Sequence, residues 1–128
     1  AMTDPKIETL DPVFRPIAYM WLNAVRGDLG INVRVLEGLR DRDRQVALQA
    51  AGKSQVKVGW HNFGLALDFA CLGTNGVYIT DGGASEYELC GVEAEKLGCV
   101  WGGRWKMKDS GHIEYHPDGK TLAEVIGA

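Results

Sequence analysis

The chain has 128 residues, 45% of them apolar, with 14 Lys and Arg against 17 Asp and Glu and a formal charge of −3. That length supports one compact domain over residues 1–128 with its own core. Interspersed charge signs exclude a basic nucleic-acid-binding face, and no apolar run reaches the roughly 18 residues of a membrane-spanning helix. The start, "AMTDPKIETL", lacks the basic and apolar regions of a secretory leader, so synthesis in a cytoplasm is expected. Cys71, Cys90 and Cys99 are odd in number and lack C-x-x-C spacing, which argues against a disulfide framework or a thiolate zinc site. Monomer is the default state.

Asp11 followed by Pro12 reads as a helix start, and Phe14, Ile17, Ala18, Trp21, Leu22 and Val25 recur at helical spacing until Gly27 or Gly30. "INVRVLEGLR" alternates as a strand with Ile31, Val33 and Val35 on one face, and Asp41 opens a helix to about Ala51. "GLALDFACL" predicts a second strand and "NGVYIT" a third, joined by a turn at Gly73 to Gly76. A helix is expected from Ser85 to Leu97, capped by Ser85 with Glu88 and ended by Gly98. After "VWGGRW" and a polar loop come the short strand "HIEYH" and a small helix from about Thr121. This order lacks regular βαβ alternation and predicts an α+β domain on a small, largely antiparallel sheet.

Strand alternation puts Leu65, Leu67 and Phe69 on the core face of the second strand, and Gly64, Ala66, Asp68 and Ala70 on the other. Small residues then leave an open space with Asp68 at its floor, where a carboxylate needs a cation or a set of hydrogen bonds. His61 can fold back toward it. Alone, such a pair equally describes a histidine and aspartate that only pin a loop. In "KDSGHIEYHP", His112, Glu114 and His116 share a face, but His112 and His116 lie roughly 13 Å apart at about 3.3 Å per residue and cannot share one ion. His112 is the better ligand because it follows a loop and has Asp109 three residues before it. His61, Asp68 and His112 together supply the three N/O ligands of a catalytic zinc site. Asp109 is then a spare carboxylate at the rim, suited to carry a proton from an activated water to a leaving amine.

These motifs resemble the zinc D-Ala-D-Ala carboxypeptidases and L-alanyl-D-glutamate endopeptidases, a family that includes small bacteriophage endolysins. "GWHNFGLALD" is similar to the family pattern S-x-H-x-x-G-x-A-x-D, and "DSGHIE" to D-x-P-H-F-E. "WGGRW" resembles the W-G-G-x-W segment of the endolysin branch, and "EGLRDRDRQ" a G-Y-R-S segment with a later Gln. The resemblance spans roughly residues 33 to 116 and implies the fold shared by these peptidases and hedgehog-type domains. It implies Zn2+ on His61, Asp68 and His112, Asp109 as general base and acid, and Arg40 as a stabiliser of the oxyanion. Glu114 would orient a ligand or a loop amide, and Gln45, Trp101 and Trp105 would support the site or contact substrate.

The implied substrate is the peptidoglycan stem peptide, cut between L-Ala and D-Glu. The implied setting is a lysin made in the host cytoplasm and released to the cell wall, with no separate cell-wall-binding domain. Other readings are a D-Ala-D-Ala carboxypeptidase or dipeptidase, a non-catalytic wall-peptide binder of the same fold, and an iron oxygenase, whose usual His-x-Asp spacing is absent. The chain departs from the family at Gly59, where Ser or Thr is usual, and at Leu39, Asp41 and Gly111, where an aromatic, Ser and Pro are common.

Overall fold

The computed structural model describes residues 3–53 and 58–127. Helix α1 (Arg15–Asn23) begins after a turn in which Asp11 accepts from the Val13 amide through Oδ1 and from Phe14 and Arg15 through its carbonyl. The Asp11-Pro12 pair therefore starts the turn, and the helix proper begins at Arg15. It widens into a π turn over Ala24–Asp28 and stops at Gly30, whose φ is +66°. Strand β1 (Asn32–Glu37) follows, then α2 (Arg42–Ala50), N-capped by Asp41 onto the Arg44 amide.

Strand β2 (Ala66–Leu72) is central, and α3 (Ser85–Lys96), β3 (Val100–Trp101), β4 (His112–Glu114) and α4 (Leu122–Ile126) complete the chain. The sheet order is β1-β2-β4-β3 with every pairing antiparallel. Two local expectations are corrected. "NGVYIT" makes a single Leu72–Tyr78 bridge, flanked by the Ile79 amide bond to the Cys71 carbonyl and the Gly73 amide bond to the Val77 carbonyl, because β4 and Gly111 already occupy that edge of β2 as far as Phe69. Ser85 is the first residue of α3 rather than its cap, since the preceding turn at Asp81 places Ala84 at the N-cap.

One face of the sheet carries the core. Val33, Val35, Leu67, Phe69, Cys71 and Ile113 pack there against Phe14, Ala18, Trp21 and Val25 around α1 and against Tyr87, Cys90 and Ala94 of α3. Trp21 meets Phe69 edge-on at 4.9 Å and donates its indole N–H to the Cys90 carbonyl at 2.9 Å, so its polar atom is satisfied inside the core. The N-terminal segment adds Ile7 and Leu10, both fully buried, and crosses the loops of the other face: Thr9 Oγ1 accepts from the Leu39 amide, and the Asp11 amide donates to the Gly64 carbonyl. No helix among the described residues is long and apolar enough to cross a membrane.

Candidate metal centre

The face of β2 opposite the core bears Ala66, Asp68 and Ala70, as alternation predicts, but Gly64 lies outside the strand, ending the Trp60–Phe63 turn at a φ of +67° against Leu10 and Asp11. The β2–β4 ladder sets Asp68 directly across from His112. The turn Trp60–Phe63 brings in His61 from the side. Among the described residues, this trio is the one group of His, Cys, Asp or Glu side chains close enough to hold a metal, its ligand atoms lying within 4.8 Å of one another.

His61 Nδ1 donates to the Gly38 carbonyl at 2.9 Å, which turns Nε2 inward. That buried nitrogen lies 3.1 Å from Asp68 Oδ1 and has no other partner, so it is a polar atom aimed into the site. His112 Nε2 donates to Glu114 Oε1 at 2.7 Å and directs Nδ1 to the same Asp68 oxygen at 3.0 Å. Both ligand-to-ligand spacings approach the edge of about 3.3 Å in a tetrahedron with 2.0–2.1 Å bonds. Two imidazoles with outer partners that orient them, and one carboxylate, fit a zinc ion with an open position.

The charges are mutually dependent. Burial alone would raise Asp68, but the facing His112 and His61 rings hold it well below the usual carboxylate range. Burial disfavours a charged His112, yet the hydrogen bonds to Asp68 and Glu114 outweigh it and raise the ring to about 9. A proton therefore occupies the metal-free site at neutral pH and must leave when a cation binds.

Arg40 is buried beneath Asp68. Its Nη2 donates to Glu37 Oε2 at 2.7 Å and to Asp68 Oδ2 at 3.1 Å, and its Nη1 donates to Gln45 Oε1 at 2.8 Å. Gln45 is itself buried, so its visible work is to hold the guanidinium. Glu37 escaped the sequence reading, although its E-x-x-R spacing to Arg40 was a signal. A β-bulge after Val35 sets Glu37 opposite Asp68 and so turns it toward the site.

The residues that depart from the family pattern have local partners. The Gly59 amide donates to Asn62 Oδ1 at 2.8 Å, and Asn62 Nδ2 donates to the Arg40 carbonyl at 2.7 Å. Asn62 thus closes the turn that lacks a hydroxyl at residue 59. Asp41 supplies the helix cap that a serine could also supply.

The rim is built from the 101–111 segment. Asp109 Oδ2 lies 3.9 Å from His112 Nδ1, and its side chain is 57% exposed. Surrounding protein and then the Asp68 charge push its carboxyl up, against the opposing pull of His112, His61 and Arg40. A Cβ on Gly102 would stand 2.4 Å from the Asp109 carbonyl oxygen, so the glycine is what lets the Asp109 backbone approach; the Asp109 amide donates to the Gly102 carbonyl at 3.0 Å. Trp101 is buried, its ring filling the space that side chains at Gly91 and Gly103 would occupy. Trp105 is 37% exposed and lies 5.1 Å from the His112 ring, so of the two it is the one that borders the site. His116 binds Glu114 and stacks on Trp60 at 3.9 Å, outside the ligand trio. The resulting cavity, about 730 Å³, is walled by Trp60, Trp105, Met107 and Asp109 above the ligands.

A helix-flanked antiparallel sheet with a His, Asp, His cluster on its open face and a carboxylate at the rim defines a metallopeptidase scaffold. The sequence model of the D-alanyl-D-alanine carboxypeptidase family matches residues 52–115. The chain is 33% identical over 114 residues to the Bacillus subtilis (strain 168) peptidoglycan L-alanyl-D-glutamate endopeptidase CwlK, covering 76% of this chain and 68% of that protein. It is 32% identical over 95 residues to the L-alanyl-D-glutamate peptidase of Listeria phage A118, covering 70% of this chain and 32% of that one, about a third of its length. The crystal structure of the Serratia marcescens L-Ala D-Glu endopeptidase ChiX superposes with a TM-score of 0.72 at 25% identity, over 89% of this chain and 86% of that one. The chain belongs to the D-alanyl-D-alanine carboxypeptidase family of peptidases.

Proposed function

We propose that the chain is a zinc-dependent peptidoglycan peptidase that hydrolyses the L-alanyl-D-glutamate bond of the stem peptide. The observation that carries this reading is the inward convergence of His61, Asp68 and His112, each braced by an outer partner, beneath an exposed carboxylate 3.9 Å away. The choice of bond rests on similarity, since CwlK, the phage A118 enzyme and ChiX all carry that activity in their names.

Zinc, when bound, supplies Lewis acidity to a water and to the scissile carbonyl. Asp109 accepts the proton released from the attacking water and delivers it to the departing D-Glu amine. Its raised pKa suits both tasks, because a weakly basic carboxylate takes a proton poorly. Arg40 holds Asp68 in place and adds fixed positive charge beneath the site where negative charge develops on the carbonyl oxygen. The phage relative favours a lysin that reaches the wall after release from a host cytoplasm.

Digestion of purified peptidoglycan with the zinc-loaded protein tests this. New D-Glu amino termini by mass spectrometry are the expected result. Free D-Ala instead would make it a carboxypeptidase, and binding without any cleavage would make it a wall-peptide binder.

A further inference from the structure

A second cavity, about 860 Å³, opens on the far side of the rim, walled by Tyr78, Tyr87, Trp101 and Ser110. Lys108 and Asp109 line both cavities and form the ridge between them. The backbone of this ridge is pinned: the Asp109 amide bonds the Gly102 carbonyl at 3.0 Å, and Trp101 Nε1 donates to the Ser110 carbonyl at 2.8 Å. Lys108 is therefore an exposed cation on a fixed stretch of chain, directly beside the proton carrier.

Its neighbour Arg104 is engaged, with Nη2 3.1 Å from Glu95 Oε1 and its guanidinium over the Trp101 ring at 5.0 Å. Lys108 has no such ion-pair partner among the described residues. Lys53 is also exposed but borders only the metal cavity. On the ridge, the unengaged positive charge belongs to Lys108.

We propose that Lys108 recognises the free α-carboxylate of the D-glutamate whose amine departs, and that the second cavity takes the rest of the stem peptide. This rests on the L-Ala-D-Glu reading given above. The stem continues through the γ-carboxyl of D-Glu, so the α-carboxylate stays free on the carbon that bears the departing nitrogen. Asp109 must reach that nitrogen to protonate it. A second carboxylate is thereby brought close to Asp109, and a cation beside Asp109 offsets the repulsion between them. Lys108 is the residue placed to do so. In peptidoglycan where this carboxylate is amidated to D-isoglutamine, the attraction is gone, so the ridge selects for the unamidated stem.

The test compares two synthetic peptides, N-acetyl-L-Ala-γ-D-Glu-L-Lys and its D-isoglutamine counterpart, with zinc-loaded protein. The expected preference in kcat/KM for the carboxylate peptide is about tenfold, the scale of one exposed charge-assisted hydrogen bond. In Lys108→Met the ratio between the two peptides falls to about one, and in Lys108→Arg the preference persists. A role of Lys108 in local structure alone would change both peptides together and leave the ratio where it was. Equal cleavage of the two peptides by the unmodified protein, or a preference that survives in Lys108→Met, overturns the inference and leaves the bond assignment standing. Cleavage elsewhere in the stem overturns both.

Discussion

The two sides of the site are built on opposite terms. His61 and His112 are almost wholly buried, and each is oriented through its second ring nitrogen, by the Gly38 carbonyl in one case and Glu114 in the other. Asp109 stands on a loop with 57% of its side chain in water, and only the backbone beneath it is tied down. On the proposed mechanism, the metal ligands gain from rigidity, since each misplaced donor costs affinity, whereas the proton carrier must meet water, substrate and leaving group in turn.

Substitutions on the two sides should therefore fail differently. His61→Ala is expected to abolish zinc binding and to lower peptide cleavage by at least about 1,000-fold. It also leaves the Gly38 carbonyl without its donor, at about 1–3 kcal/mol of stability. Metal analysis and thermal unfolding of the same sample check both. Asp109→Ala should cost about 100- to 10,000-fold in kcat while zinc content and unfolding stay as in the parent protein. Cleavage at the parent rate would remove Asp109 from the mechanism.

Gly102→Ala is a smaller disturbance that acts only through position. Its new Cβ collides with the Asp109 carbonyl, the loop must shift, and kcat should drop by about 100-fold with zinc retained. If Gly102→Ala loses metal as well, the two sides are not separable. The mildest effect is on stability and pH in the metal-free protein. The His112 pKa is raised to about 9, so protonated His112 contributes fully below its unfolded value of 6.5 and that contribution is lost as pH rises toward 9. Asp68 and Glu114 are lowered, so their contribution is lost as pH falls below the ordinary carboxylate range. The metal-free Tm should therefore peak near pH 5 to 6.5 and fall by several degrees by pH 9. Zinc-loaded protein, with His112 already deprotonated, should not show that alkaline decline.

Much of the site was legible because a strand reports its faces by alternation. Asp68 among Gly64, Ala66 and Ala70 could not be a core residue, and the Asp109-to-His112 spacing marked the far side of the same cleft. The supports were harder to see. Glu37 reaches Arg40 and Asp68 only through a β-bulge, and the Gly38 carbonyl that orients His61 is a backbone atom that no residue type announces. Among the larger elements, α1, α2, β1 and β2 followed from periodicity. Strand β3 is two residues long and exists only because β4 lies beside it, while residues 75–80 carried strand-like side chains but found just one bridge's length of free edge.

The N-terminal crossing has a practical meaning for anyone joining this domain to another. A cut at Arg15, where α1 begins, would remove Ile7, Leu10 and Phe14 from the core. It would also remove Thr9 and Asp11, which hold the backbones of Leu39 and Gly64 in the two loops that carry Arg40 and His61. A serviceable junction lies ahead of Asp4, whose amide is held by the Tyr19 hydroxyl and whose carboxylate accepts from the Ile7 amide. Chimeras trimmed further in should lose solubility and activity together, since the same few residues seal the core and brace the loops of the site.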